Sequence, residues 1–246
     1  MSTTKKLTMK KIILIIIILF TANNINAQQD PQYTQYMYNM NVINPAYAGS
    51  SDATSIGILY RDQWRGIEGA PKTGTMNIHF PAGKNVGLGF SAISDEIGPV
   101  SETNLYVDFS YTLNFTNENK LAFGIKAGGT FHDIGLADLT VINPNDPFFS
   151  YDANENTPNL GAGLYFYKPN KYYVSLSVPN ILESIHLDNE DVEFGNESRH
   201  LFAAVGYVFD INENFKLKPH SFLKYAPDAP PSIDINANLF MYDFVE

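Results

Sequence analysis

The stretch 104–115 constrains the fold more than any other part of the sequence. Apolar and aromatic residues alternate there with mostly polar ones, residue by residue. Side chains of a β-strand point alternately to its two faces, so this strand has one apolar face and one polar face. Its length matches the roughly 9–11 residues with which a tilted strand crosses a bilayer. The stretch therefore predicts a strand of a membrane-spanning sheet.

Similar patterns recur along the chain and predict about ten antiparallel strands. After the first 27 residues, no segment has a convincing helical period over three turns. Pro219 lies within one predicted strand, although proline removes a ladder hydrogen bond. Besides 104–115, the predicted strands are 55–64, 73–80, 86–93, 121–132, 159–167, 172–178, 199–209, 215–225 and 232–241.

The predicted connections alternate between short and long. The short ones are polar turns at 81–85, 116–120, 168–171 and 210–214. The longer ones are 65–72, 95–101, 137–158, 179–198 and 226–231. Outer-membrane barrels have short periplasmic turns and longer external loops. The pattern therefore predicts an all-β, antiparallel, transmembrane outer-membrane β-barrel, with residues 137–158 and 179–198 facing the exterior.

Residues 1–27 have the order of a Sec signal peptide. Four lysines precede the apolar run Ile12–Phe20, and Ala27 lies at a plausible cleavage position. A signal anchor is the less favoured alternative. We expect residues 28–54 to form a periplasmic leader segment and residues 55–246 to form the barrel. The chain ends abruptly at Glu246, directly after a strand, although a closed barrel must pair its last strand with its first.

Composition and motifs exclude several function classes. Removal of residues 1–27 changes the net charge from −10 to −14, because they carry four lysines and no acidic residue. Such an acidic chain is a poor nucleic-acid binder. Cysteine is absent, and the five histidines are scattered without metal-ligand spacing. Phosphate-binding, nucleophile-elbow and zinc-protease motifs are missing as well. We expect no enzymatic activity, cofactor or metal site.

Several charged residues fall on the polar faces of the predicted strands. Lys126, Lys216, Lys218, Lys224 and Arg61 are expected to line the interior and to meet Asp108 and Asp234. One interpretation is an anion-preferring channel. The preferred one is an interior filled by salt-bridged side chains.

Four segments of the first part of the chain carry a family resemblance. They are Asp30-Pro-Gln-Tyr-Thr-Gln-Tyr36, Asn44-Pro-Ala-Tyr-Ala-Gly49, Tyr60-Arg-Asp-Gln-Trp-Arg-Gly66 and Gly69-Ala-Pro-Lys-Thr73. Together they resemble the PorP/SprF-like proteins of the Bacteroidetes type IX secretion system. The residues expected to have a structural or partner-binding role are Gln35, Tyr36, Asn44, Pro45, Gly49, Arg61, Gln63, Trp64, Gly66 and Pro71.

The resemblance implies a non-enzymatic role in the outer membrane. Members of the family look like outer-membrane barrels, and they work with proteins exported by the type IX machinery, such as gliding adhesins. Typical members carry additional strands, so the resemblance implies that this chain is a C-terminally truncated, incomplete barrel or a variant. The implied partners are outer-membrane lipid, secretion substrates with C-terminal sorting domains and other components of the machinery. Two alternatives remain open from the residues: a general porin or solute channel, and a soluble, secreted β-sandwich binding module.

Overall fold

The structure is a computed structural model that describes residues 36, 38–135, 153–182, 185–189, 192–196, 199–227 and 229–241. The predicted signal peptide 1–27, the leader up to Gln35 and the predicted external residues 137–152 lie outside the described residues. In the described part of the chain, no helix is long and apolar enough to cross a membrane.

The described chain is almost entirely β-structure. Its helical elements are the single turn α1 (Met40–Ile43) and two short 3-10 turns, Pro45–Tyr47 and Thr116–Glu118. The strands are β1 (Ser55–Asp62), β2 (Lys72–Pro81), β3 (Val86–Ile97), β4 (Val100–Asn114), β5 (Lys120–Ile134), β6 (Ala153–Lys168), β7 (Tyr172–Val178), β8 (Ile185–Asn189), β9 (Val192–Asn196), β10 (Leu201–Tyr207), β11 (Phe209–Asn212), β12 (Phe215–Ala226) and β13 (Ala229–Met241).

Eleven of these strands form one antiparallel sheet in chain order. The sheet runs from β1 through β7 to β10, and then through β12 to β13, while β11 pairs with β12 beside β10. Strands β8 and β9 form a separate hairpin. Each of the ten predicted strands has a counterpart in the sheet, since β10 and β11 together correspond to the predicted strand 199–209. The prediction of an all-β, antiparallel fold is confirmed.

Pro219 accounts for the interruption between β10 and β11. The ladder between β10 and β12 ends at the pair Gly206–His220, and the ladder between β11 and β12 begins again at Phe209–Leu217. Pro219 falls between these two pairs, where it has no N–H to donate. Val208, which lies in the gap, donates its N–H to the carbonyl of Lys171 instead, at 2.7 Å.

Two of the predicted long connections are short turns, so their predicted length is wrong. Strand β3 continues to Ile97 and β4 begins at Val100, which leaves a turn at Gly98 with φ +58°. Strand β13 begins at Ala229, three residues after β12 ends. Both regions have polar or proline-rich sequences that lack apolar alternation, and such sequences predict loops. Polar strand ends that project beyond an apolar band give no such alternation.

The inward face of the sheet is polar. Among its buried side chains are Asn77, Ser91, Asp108, Lys126 and Ser175. Charged and polar groups are rarely buried in a soluble domain unless they are paired. Here they form the interior, together with a few buried tyrosines and phenylalanines.

The outward face of the sheet is apolar and exposed. Ile58 on β1, for example, is 78 % exposed. Large apolar residues are exposed along the whole sheet, including Ile56, Val107, Ile125, Leu160, Val205 and Ile235. A polar interior within an apolar outer face is the arrangement of membrane-spanning β-sheets, because lipid replaces the hydrophobic core as the apolar phase.

The sheet is rolled around the chain that precedes β1. Asn77 on β2 donates to the side chain of Asn39 at 2.9 Å, and Asn236 on β13 donates to the hydroxyl of Tyr36 at 3.0 Å. In a flat sheet, β2 and β13 would lie eight strand spacings, or about 38 Å, apart. Three residues of extended chain span at most about 11 Å. The first and last strands therefore approach each other, although in the described part of the chain β1 pairs with β2 alone and β13 with β12 alone.

Candidate functional site

The chain inside the rolled sheet, Tyr36 and residues 38–50, is called the inner segment. Its centre is α1 followed by the 3-10 turn Pro45–Tyr47. Asn44 begins this turn, and its side-chain oxygen accepts the N–H of Ala46 at 2.9 Å. Pro45 suits the first position of the turn, where an N–H has no partner within the turn. Gly49, one residue before the end of the segment, has φ +68°, a conformation that favours glycine.

Asn44 also holds the inner segment against the sheet. Its amide donates to the carbonyl of Leu164 on β6 at 3.0 Å and to the hydroxyl of Ser175 on β7 at 2.7 Å. The residue is fully buried. One side chain therefore shapes the turn and fixes its position on two neighbouring strands.

Glycines on the inward face of the sheet make room for the inner segment. A Cβ atom on Gly124 would lie 2.1 Å from the nitrogen of Ala46, and one on Gly87 would lie 2.1 Å from the carbonyl oxygen of Ala48. A Cβ atom on Gly163 would lie 2.0 Å from the side-chain oxygen of Asn44. Strand glycines often mark a place where another backbone approaches closely. The motif Asn44–Gly49 thus packs against Gly87 of β3, Gly124 of β5 and Gly163 of β6, which together are called the glycine bed.

A buried ion pair joins the inner segment to β4 and β5. The ammonium of Lys126 lies 3.4 Å from a carboxylate oxygen of Asp108, and both side chains are fully buried. Lys126 also donates to the carbonyl of Val42 at 2.7 Å, while the amide of Asn41 donates to Asp108 at 3.1 Å. The Lys126 ammonium lies 4.9 Å above the ring of Tyr106. The prediction that Lys126 meets Asp108 is confirmed.

Tyrosines fasten the two ends of the inner segment. The ring of Tyr36 stacks on Phe222 at a centroid distance of 4.2 Å, and its hydroxyl lies 3.0 Å from Nδ1 of His220. At the other end, Tyr47 packs edge-on against His79 and Tyr165. Burial raises the pKa of the Tyr47 hydroxyl above its usual value, and a hydrogen bond with Ser50 opposes this shift. The neutral tyrosine is therefore the form that fits this interior.

The second group of motif residues forms the rim loop, residues 63–71, between β1 and β2. The N–H of Gln63 donates to the carbonyl of Pro71 at 3.0 Å, and Arg61 donates to the side chain of Gln63 at 2.8 Å. Gly66 has φ +96° and so favours glycine. Trp64 also has a positive φ, +47°, and leaves 68 % of its surface exposed. The rim loop therefore presents an aromatic side chain from a backbone conformation that tryptophan rarely adopts.

The structure divides the predicted site residues between these two places. Tyr36, Asn44, Pro45 and Gly49 lie in the inner segment. Arg61 lies near the end of β1, and the rim loop contains Gln63, Trp64, Gly66 and Pro71. Gln35 lies outside the described residues.

The sequence reasoning missed Asn39, Asn41 and the glycine bed as parts of the site. The available signal was the glycines on polar faces of strands. Among the described residues, no group of acidic or histidine side chains could hold a metal ion.

Comparison with known proteins identifies the family. The sequence model described as "Type IX secretion system membrane protein PorP/SprF" matches residues 25–246. No curated protein and no solved structure matches the chain. The matched range contains the inner segment, the rim loop and the thirteen strands of the described residues. The resemblance of the motifs is confirmed: the chain belongs to the PorP/SprF family of type IX secretion system membrane proteins.

Proposed function

We propose that the protein is a non-enzymatic outer-membrane barrel that assists the secretion or the cell-surface attachment of a partner protein, such as a gliding adhesin. The observation that carries this proposal is a membrane-type sheet whose interior is occupied by its own chain. Buried side chains of the inner segment reach β2, β4, β6 and β13. An occupied interior suits a scaffold better than an open porin, and the apolar outer face disfavours a soluble β-sandwich.

In this proposal, residues 1–27 are a signal peptide for export by the Sec pathway. Residues 28–54 are a leader that begins on the periplasmic side and continues into the interior. Residues 55–246 form the outer-membrane barrel. The proposed partners are outer-membrane lipid, secretion substrates with C-terminal sorting domains and other type IX components.

The rim loop is the proposed contact surface for the partner. Trp64 and Ile67 are both more than half exposed there. The turn between β3 and β4 supports the loop, because the N–H of Gly98 in that turn donates to the carbonyl of Gly69 at 2.9 Å. Large aromatic residues in fixed positions contribute much of the binding energy of protein interfaces. Strained backbone often accompanies functional positions, which agrees with the positive φ of Trp64.

A pull-down from detergent-solubilised outer membranes, followed by mass spectrometry, tests the proposal. We expect a large secreted protein with a C-terminal sorting domain to be recovered with the tagged protein. Trp64→Ala should reduce this recovery, whereas Ile58→Ala on the outer face of β1 should not. Recovery of the tagged protein alone, together with ion conductance in planar bilayers, would favour the porin. Absence of the protein from the outer-membrane fraction would refute the proposed location.

A further inference from the structure

A row of charged side chains lies on the inward face of the sheet, at the end that carries the rim loop. Its members are consecutive partners across four neighbouring strands: Asp95 on β3, Glu102 on β4, His132 on β5 and Glu155 on β6. These four residues are called the acidic row. On β2 the row continues with Thr73, which pairs with Asp95 and lies two residues after the rim loop.

The carboxylate of Asp95 is buried without a countercharge. Asp95 is 6 % exposed and accepts a hydrogen bond from the hydroxyl of Thr73. It forms no ion pair with any residue that the structure describes, and its direct partner on β4 is the acidic Glu102. Acidic residues are almost never fully buried unless they are paired, and like charges directly opposite each other on two strands are destabilising. Asp95 and Glu102 therefore indicate a cation that binds from outside the described chain.

The basic groups of the same row do not balance its acidic groups. Nδ1 of His132 lies 3.7 Å from a carboxylate oxygen of Glu102, and His132 also stands opposite Glu155. On β1, Arg61 pairs with Thr73, and its guanidinium donates to the side chain of Gln63 in the rim loop at 2.8 Å. Even with a protonated histidine, the three carboxylates exceed the positive charges of His132 and Arg61. The acidic row therefore keeps a net negative charge.

Two buried polar atoms beside the acidic row lack hydrogen-bond partners. They are the hydroxyl of Thr157 and the amide oxygen of Asn159, both on the inward face of β6 and both in residues more than nine-tenths buried. The amide nitrogen of Asn159 donates to the hydroxyl of Tyr106 at 3.5 Å. That hydroxyl donates to Asn104, whose own amide donates to the carboxylate of Glu102. Because buried polar groups are nearly always hydrogen-bonded, these two atoms indicate a ligand with several donors.

We propose that the acidic row binds an arginine side chain of a partner polypeptide. A guanidinium is always charged and offers five N–H donors in a planar fork, without an acceptor. It suits a wall of carboxylate, hydroxyl and amide oxygens better than an ammonium, which is a compact point charge. The inference rests on the proposed function, because a partner that contacts Trp64 in the rim loop binds at the same end of the sheet as the row.

Fluorescence anisotropy of labelled peptides with the purified full-length protein in nanodiscs tests the proposal. The salt concentration is about 0.15 M, where exposed charges more than about 8 Å apart are largely screened. One peptide has two arginines among glycines and serines, and in its control both are replaced by citrulline, which has a similar shape but no charge. We expect the arginine peptide to bind at least about tenfold more tightly, because charged hydrogen-bond partners bind more strongly than neutral ones. Equal binding of the two peptides, or binding of neither, would overturn the proposal.

Substitutions locate the binding. Asp95→Asn retains the size of the side chain and should weaken binding of the arginine peptide about tenfold. It should also raise the melting temperature of the protein without peptide, because it removes a buried charge. Thr157→Val removes the hydroxyl but retains the shape, and should weaken binding several-fold. Glu213→Gln removes an exposed carboxylate from the turn between β11 and β12, outside the acidic row, and should leave binding unchanged.

The remaining outcomes separate this site from its alternatives. An equal loss of binding in Glu213→Gln and Asp95→Asn would show attraction to the net charge alone and would refute the site. If Thr157→Val does not fold, the comparison of the two peptides on the Asp95→Asn protein still decides. Ethylguanidinium is the probe for a small cation, and binding as tight as that of the peptide would overturn the polypeptide as the ligand. Because the peptides are synthetic, a failed pull-down with retained peptide binding would refute the proposed function but not the arginine site.

Discussion

Replacement of Lys126 by methionine is expected to release the inner segment while the sheet remains folded. The substitution retains the length of the side chain but removes the ammonium that lies 3.4 Å from Asp108 and 2.7 Å from the carbonyl of Val42. The Asp108 carboxylate is then buried without a countercharge, and Asn41 remains as its hydrogen-bond donor. Removal of one partner of a buried ion pair costs about 3–5 kcal/mol.

The double substitution Lys126→Met with Asp108→Asn separates the charge from the packing. No buried charge remains, and the principal loss is the donor to the carbonyls of the inner segment. A buried polar group without a partner costs about 1–3 kcal/mol. We therefore expect the double variant to be less destabilised than Lys126→Met by about 2 kcal/mol. This difference between the single and the double variant would identify the unpaired carboxylate of Asp108 as the main cause of the destabilisation.

Hydrogen exchange measured by mass spectrometry in nanodiscs gives the readout. A loss of about 3 kcal/mol accelerates exchange of amides 38–50 by about two orders of magnitude. The amides of β4 and β5 should keep their protection, because their ladder joins fifteen residue pairs. Lys84→Met serves as the control for loss of one positive charge. Equal exchange in the single and double variants, or simultaneous loss of protection in β4 and β5, would refute the reasoning.

Three further predictions concern the same segment. Gly124→Ala places a Cβ atom 2.1 Å from the backbone of the inner segment and should accelerate hydrogen exchange there. Gly74→Ala, whose Cβ atom would have no neighbour within 4 Å, should not. Equal effects of the two substitutions would contradict the role of the glycine bed in making room for the segment. Asn44→Ala removes one hydrogen bond to β6, one to β7 and one within its own turn. At about 1 kcal/mol for each bond, the inner segment should be destabilised by about 2–3 kcal/mol, which the same exchange experiment measures. A change within experimental error would argue against the role of Asn44 in anchoring the segment. Burial raises the pKa of Tyr47 above its ordinary value of 10.0, so the docked segment should be stable below pH 10 and loosen above it, where a released tyrosine ionises first. A dye on the single cysteine of a Ser51→Cys variant reports this loosening, and Tyr47→Phe should reduce it to the part that Tyr36 contributes, since burial raises the pKa of Tyr36 as well.

The strands were predictable because their periodicity has a simple physical cause. Lipid on one side and the polar interior on the other force alternation, as in residues 104–115, and all ten predicted strands have counterparts. The strand ends were not predictable in the same way. Asp95 and Glu96 continue β3 beyond the apolar band, so they read as loop residues although they pair with Glu102 and Ser101.

The candidate site was predicted in part. The motif residues Asn44 and Pro45 were singled out, but nothing in their spacing shows which strands they meet. That information lies in Gly87, Gly124 and Gly163, whose positions become meaningful only when the register brings them beneath one segment. Long-range register depends on turns and pairing across the whole sheet. Local periodicity therefore identifies the strands without identifying what they enclose.

The contacts of Tyr36 and Asn39 also determine an order of assembly. These two residues lie three positions apart, yet they reach β13 and β2 near opposite ends of the sheet. Threading the segment in afterwards would require its buried amide side chains to pass along an already enclosed interior that contains the ion pair of Lys126 and Asp108. The inner segment must instead take its place while the sheet is still open, so that the later strands pack around it. The first described part of the chain is then the last to be enclosed, and the two ends of the sheet have to stay apart until that has happened.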